Sequence, residues 1–313
     1  MYFLKVFLAS LLLFTTLFLS SLPLSFPVYA ANQASIELLN ESNLKPPPAS
    51  SHLKTFPAFS QQELRWMGER IYANECASKP ENLIHWNEGE NFPSLGIGHF
   101  IWYRQDSDEK FVETFPSMVQ AISAKKALPD WLAALPTMDA PWPNKAAFIA
   151  FKKTPEYYEL LTWLLNSKPE QAEFISKQLI ERFNTFLKRQ KSSNHAASKN
   201  IHIESLFNNM MTFKQGRFAL IDYVNFKGMG AETEAYQGEQ WGLISVFEDM
   251  LLRHPKIYQW QKMQMLEEFV LSAKRRLKKR VSLSPVARNE QRWLKGWFKR
   301  VDGYLQAGSP LHK

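Results

Sequence analysis

Two carboxylates in unlike surroundings can divide acid and base work between them, and this chain sets Glu75 and Glu88 thirteen positions apart. Leu64, Met67, Gly68, Ile71 and Glu75 recur at steps of three and four, which puts them on one helical stripe. A charge at the inner end of an apolar stripe is costly unless something compensates it. Either Glu75 lies past the packed region, in water or paired with an arginine, or it faces a cleft whose apolar walls keep a proton on it for donation. Glu88 belongs to the polar turn Asn87-Glu88-Gly89-Glu90-Asn91, where a carboxylate stays ionised. Ser94 follows with a hydroxyl on the face left open by the glycines Gly96 and Gly98. A Glu75 locked in an ion pair, or turned outward with no groove nearby, would overturn the donor role.

A helix and a small β unit must position these groups. Ser60-Gln61-Gln62-Glu63 has the form of a capping box and opens a helix through about Cys76. Leu83 to Trp86 reads as a short strand. Ser94 to Trp102 alternates, with Leu95, Ile97, His99 and Ile101 on one face and Ser94, Gly96, Gly98, Phe100 and Trp102 on the other. Glycines two apart strip one face of side chains and let a ligand or backbone approach. His99 shares its face with aliphatic residues and reads as a structural histidine. Helical patterns are expected over 117–128, 144–152, 156–166, 169–190, 203–213, 215–227, 239–253, 255–280 and 288–306, with prolines between or at the starts of most of them. The fold class expected is mainly α (α+β), with a small β-hairpin lining a cleft.

The N-terminus speaks to compartment. Met1 to Lys5 is short and basic, Val6 to Leu22 is almost wholly apolar, and Val28-Tyr29-Ala30 sets small residues at the −3 and −1 positions. That pattern is a signal peptide over 1–30 cleaved near Ala30, giving an exported, periplasmic or extracellular protein. An uncleaved anchor is the competing reading. Residues 31–58 form a Pro/Ser-rich linker, and 59–308 the candidate catalytic domain.

There are 38 Lys and Arg against 30 Asp and Glu, a formal charge of +8, with 12 Gly and one Cys. These figures exclude collagen, low-complexity disorder and a disulfide-stapled fold. No spaced Cys/His set, H-E-x-x-H, P-loop, G-x-G-x-x-G or G-x-S-x-G is present, so no metal or cofactor is expected. Eleven Lys/Arg fall between 274 and 300 with Glu290 the one acid, and Trp293, Trp297 and Phe298 are interleaved. This 274–300 region is either a contact for an anionic envelope surface or a solvated face with its aromatics in the core. Export argues against nucleic acid, and a monomer is expected.

Further candidates lie downstream. Tyr236, Gln240 and Trp241 follow a helix ended near Gly228, and could form an aromatic and amide wall for sugar. Asn225 is a candidate contact on that helix, while Asp222 is either structural or a second carboxylate for the site. Near the hairpin the candidate substrate contacts are Trp86, Asn87, Glu90, Gly96 and Gly98.

Glu75, the turn acid, Ser94 and the run Gly96-Ile97-Gly98-His99 together resemble the catalytic segment of phage-type lysozymes (muramidases), in the lysozyme-like superfamily. Counted back from His99, Glu88 stands at eleven and Ser94 at five, where that family places its hairpin acid and hydroxyl residue. The match covers residues 71 to 102. Glu88 replaces the usual Asp with Glu90 as competitor, Ser replaces Thr, and the connection from Glu75 is longer. The resemblance implies a lysozyme-like helical domain, with Glu75 as general acid and with Glu88 and Ser94 positioning water. It also implies hydrolysis of β-1,4 links in an amino-sugar polymer, peptidoglycan above all, without a cofactor. A lytic transglycosylase, a chitosanase-like substrate and an inactive wall-binding scaffold are the alternatives.

Overall fold

The computed structural model describes residues 56, 58–107, 111–191, 197–230 and 235–306. The expected leader and nearly all of the linker lie outside the described residues, and no described helix is long and apolar enough to cross a membrane. The described residues contain eleven α-helices and five two-residue strands, so the chain is mainly helical with small antiparallel sheets.

Helix α1 (Gln61–Cys76) begins where the cap motif places it: Ser60 adopts an extended conformation and its Oγ accepts from the Glu63 backbone N–H at 3.2 Å. Only half of the box forms, because the Glu63 carboxylate turns to Arg217 at 3.4 Å. Leu64, Met67, Gly68 and Ile71 are buried as their spacing requires, each large one contributing about 1.5–3 kcal/mol. They pack along α6 (Lys168–Lys191). The approach is close enough that a Cβ on Gly68 would stand 2.7 Å from the Lys168 carbonyl oxygen. A left-handed Ala77 (φ 52°) stops the helix just beyond Glu75 and Cys76.

The chain then makes a 3-10 turn (Pro80–Leu83) and a three-stranded sheet, β1 (Ile84–His85), β2 (Ser94–Leu95) and β3 (Phe100–Ile101), paired in that order. The expected continuous strand from Ser94 to Trp102 is interrupted: Ser94 pairs with Ile101 and Leu95 with Phe100, so residues 96–99 are the reversal. Gly96 (φ 71°) and His99 (φ 48°) take left-handed conformations that no strand allows. The Ile97 N–H leaves the ladder for Gln171 Oε1 at 2.8 Å. The side-chain-free face faces the protein itself. A Cβ on Gly96 would collide with Gln171 Oε1, and one on Gly98 would lie 2.6 Å from the Phe100 ring and 3.2 Å from Ile175.

After α2 (Phe115–Ser123), α3 (Asp130–Ala133), α4 (Lys145–Phe151) and α5 (Pro155–Asn166) come α6 and α7 (Ala197–Met210). Helix α8 (Lys214–Lys227) is buried on nearly every side from Phe218 to Val224, the mark of a central helix. It packs against α1, α6 and α7, and against α9 (Leu243–Arg253) and α10 (Lys262–Leu283). Strands β4 (Ala235–Tyr236) and β5 (Glu239–Gln240) form a tight hairpin where a helix had been expected to start at 239. The left-handed Gln237 and Gly238 make its turn. Helix α11 (Gln291–Asp302) closes against α10.

Candidate functional site

Glu75 reaches the last turn of α1 with its residue only 8% exposed. Its Oε1 accepts from Asn225 Nδ2 at 2.8 Å and from the Arg300 guanidinium at 2.6 Å. Its Oε2 accepts no hydrogen bond from a described residue and stands 3.6 Å from His99 Nδ1. The carboxylate is therefore both buried and paired. The sequence had offered an arginine partner only as the alternative to a buried, cleft-facing acid.

Arg300 is shared. Its Nε and Nη2 grip Asp222 at 2.7 and 2.8 Å, and Asp222 also accepts from Tyr304 Oη at 2.8 Å and Asn74 Nδ2 at 3.0 Å. Burial opposes the guanidinium charge, but Asp222 and then Glu75 outweigh it and hold Arg300 well above the ordinary arginine value. Asp222 is structural in the sense that sequence suggested, fully buried as the anchor of Arg300. Asn225, expected to touch substrate, instead steadies Glu75. Asn74 and Asn225 were within reach of periodicity arguments, since they flank Glu75 and Asp222 on their helices. Arg300 and Tyr304 carried no local signal.

His99 caps the Gly96–His99 turn beside Glu75. Burial lowers its basicity, Glu75 raises it and Arg300 lowers it again, for a net shift below 6.5, so the ring is neutral at pH 7. On β1, His85 is likewise lowered, by burial first and by Lys152 and His99 next, with Asn87 acting in the opposite direction. Asn87 Nδ2 donates to Glu90 Oε2 at 2.8 Å, and Trp86 Nε1 donates to the Glu90 carbonyl oxygen at 2.8 Å. Burial raises the Glu90 carboxyl, partly offset by Asn87 and Lys145. Glu88, by contrast, is exposed in the turn and bonded to no described residue. Ser94 is buried on the central strand, and its hydroxyl makes no hydrogen bond to a described residue. The Trp86 ring packs edge-on against Phe148 rather than facing outward.

The proposed sugar wall is an internally braced hairpin. Tyr236 Oη donates to Glu290 Oε1 at 2.9 Å, the Trp241 carbonyl accepts from Tyr223 Oη at 2.7 Å, and Arg276 holds the Gln240 carbonyl and, at 2.8 Å, Glu239. Arg280 lies 4.2 Å from the Trp241 ring centroid and forks onto Glu290 at 2.8 and 2.9 Å. Lys227 is buried with its ammonium 3.6 Å from the Trp297 ring centroid and 4.0 Å from that of Phe226. The basic segment is therefore not one solvated stripe: Arg280 and Arg300 are buried, and Lys274, Arg275, Arg276 and Arg288 pair with acids. Lys278, Lys279, Arg292, Lys295 and Lys299 remain exposed.

No protein-family model, curated protein or solved structure matches this chain. No group of three or more potential metal ligands occurs among the described residues.

Proposed function

We propose that the protein is an exported glycoside hydrolase of lysozyme-like type, cutting β-1,4 bonds of an amino-sugar polymer, with peptidoglycan the substrate. The ion pair with Arg300 tells against Glu75 as a proton donor; what supports the reading is its other oxygen, Oε2, which accepts no hydrogen bond from a described residue and lies 3.6 Å from His99 Nδ1 beside the small β unit. Fixing one oxygen orients the other, which is what a proton donor to a bridging oxygen needs. Arg300 is shared between Asp222 and Glu75 Oε1, so Oε2 is the Glu75 oxygen left to meet a ligand.

Departure of the leaving sugar develops positive charge on the ring, and water completes the reaction from the other side. Glu90 is the better-held partner for that water: Asn87 orients its carboxylate, whereas Glu88 stands free in solvent. Ser94, Tyr236, Gln240 and Trp241 remain candidate contacts for the glycan. The Arg300 ion pair also favours a second reading, a wall-binding scaffold of the same fold without turnover, because a purely structural glutamate forms the same pair.

A zymogram on purified peptidoglycan separates the two. Wild type is expected to clear and Glu75→Gln to lose about 10²–10⁴-fold in rate; clearing by neither protein overturns the hydrolase reading. Mass spectrometry of the products distinguishes reducing ends from the anhydro-muramic ends that a lytic transglycosylase leaves.

A further inference from the structure

Away from Glu75, a surface cavity of about 760 Å³ opens between the start of α3 and one face of α5. Leu128 and Pro129 line one side, and Tyr158, Thr162, Trp163 and Asn166 project from α5, with Asp130 and Glu159 among its lining residues. The Tyr158 ring is 59% exposed. Trp163 is 6% exposed, and its indole N–H is buried with no acceptor among the described residues. An orphaned buried donor is rare, because a group taken from water is left uncompensated. The Trp163 side chain lines the cavity, so an occupant there changes the surroundings of this N–H.

The polar groups around this donor are equally uncommitted. The Asp130 and Glu159 carboxylates, the Thr162 hydroxyl and the Asn166 side-chain amide make no hydrogen bond or ion pair with a described residue. Lys126 is the exception: its ammonium donates to the Asn166 carbonyl oxygen and lies 3.8 Å from Glu170. The cavity thus presents an exposed aromatic face, two free acceptor carboxylates, a hydroxyl, an amide and an unpaired N–H, with its one cation already engaged. Aromatic faces cover the apolar side of a pyranose, and carboxylates accept from its hydroxyls. The free negative charge disfavours an anionic ligand, even though the chain as a whole is basic at +8.

We infer that this cavity is a second glycan-binding site, taking neutral N-acetylglucosamine units of the polymer cut at Glu75. It rests on the proposed substrate but not on turnover. Helix α5 packs on the 3-10 turn between Glu75 and the sheet. A site on α5 tethers the polymer to the same folded unit as Glu75 without contributing to the chemistry, which raises effective concentration.

The test uses the purified full-length chain carrying Glu75→Gln, so that nothing is hydrolysed, titrated with chitotriose. The Trp163 indole N–H resonance is assigned by its loss in Trp163→Phe. It is expected to move saturably, and Tyr158→Ala, an exposed position, is expected to raise the dissociation constant about tenfold. An unmoved Trp163 resonance at saturation, an unchanged constant in Tyr158→Ala, or saturation by a lysine-bearing peptide but not by chitotriose overturns the site. Binding here alongside a zymogram without clearing would sink the hydrolase reading and leave this one standing.

Discussion

Replacing Arg300 by Met removes a cation that two buried carboxylates share, and the structure allows the consequence to be worked out. Asp222 would keep its bonds from Tyr304 and Asn74, and Glu75 its bond from Asn225. Neither would keep a compensating charge, in a cluster whose side chains are at most 5% exposed at Glu75, Arg300 and Asp222. The Met side chain fills most of the volume and preserves the contact with Phe226, whose ring lies 4.2 Å from the guanidinium carbon. Charge rather than packing is therefore what the substitution tests. Removing one partner of a buried pair costs about 3–5 kcal/mol. For a folded unit of this size the melting temperature moves roughly 2–4 °C per kcal/mol, so a fall of roughly 6–20 °C is expected by calorimetry or circular dichroism. Arg300→Lys keeps the charge but loses the fork, and should fall in between. A melting temperature for Arg300→Met within about 2 °C of wild type would refute the view that this cluster holds α1, α8 and α11 together.

Turnover on peptidoglycan should fall about 10²-fold or more in Glu90→Gln and stay near wild type in Glu88→Gln; the reverse ranking would reassign the water-activating role. Proton NMR should find His99 titrating below 6.5, because burial and Arg300 together outweigh Glu75. A lowered folded-state value means that its contribution to stability is present above 6.5 and is lost as pH falls through the folded value, so His99→Gln should flatten the stability profile in that acid window. Burial pushes Glu290 up, but Arg280, Tyr236 and Arg288 pull it below 4.5 overall. Its stabilisation is accordingly full above 4.5 and fades as pH drops further. Glu290→Gln should be less stable than wild type by about 3–5 kcal/mol at pH 7, with the gap closing in acid, as measured by urea unfolding.

Local signals located much of the fold. The Ser60 cap, the apolar stripe of α1 and the prolines at the starts of α5 and α6 each act within one turn of chain, and the helices over 145–151, 155–166 and 168–191 follow their patterns closely. Missed elements were those decided by partners distant in sequence. Residues 96–99 alternate like a strand, yet Gln171 captures the Ile97 N–H and turns the chain. Gln237-Gly238 forms a hairpin turn inside a stretch whose polarity also suits a helix start. In the site, Glu75 stood out as a charge on an apolar stripe. Nothing near it in sequence could announce Arg300, which lies 225 positions away. In the basic 274–300 segment, buried Arg280 and Arg300 look the same as the solvated lysines beside them. Only the interleaved tryptophans, Trp293 and Trp297 with 3% and 5% exposure, hint that part of that face is inward.

The knot of Asn74, Glu75, Asp222, Asn225, Arg300 and Tyr304 draws on the first helix, a central one and the last. A growing polypeptide that has not yet yielded Arg300 has no counter-ion for either acid, so the knot ties only after α11 has been made. Clipping the molecule ahead of that arginine undoes the arrangement around Glu75 while leaving the β unit and most of the described helices in the fragment. Integrity of the α11 segment is thereby felt at Glu75 itself.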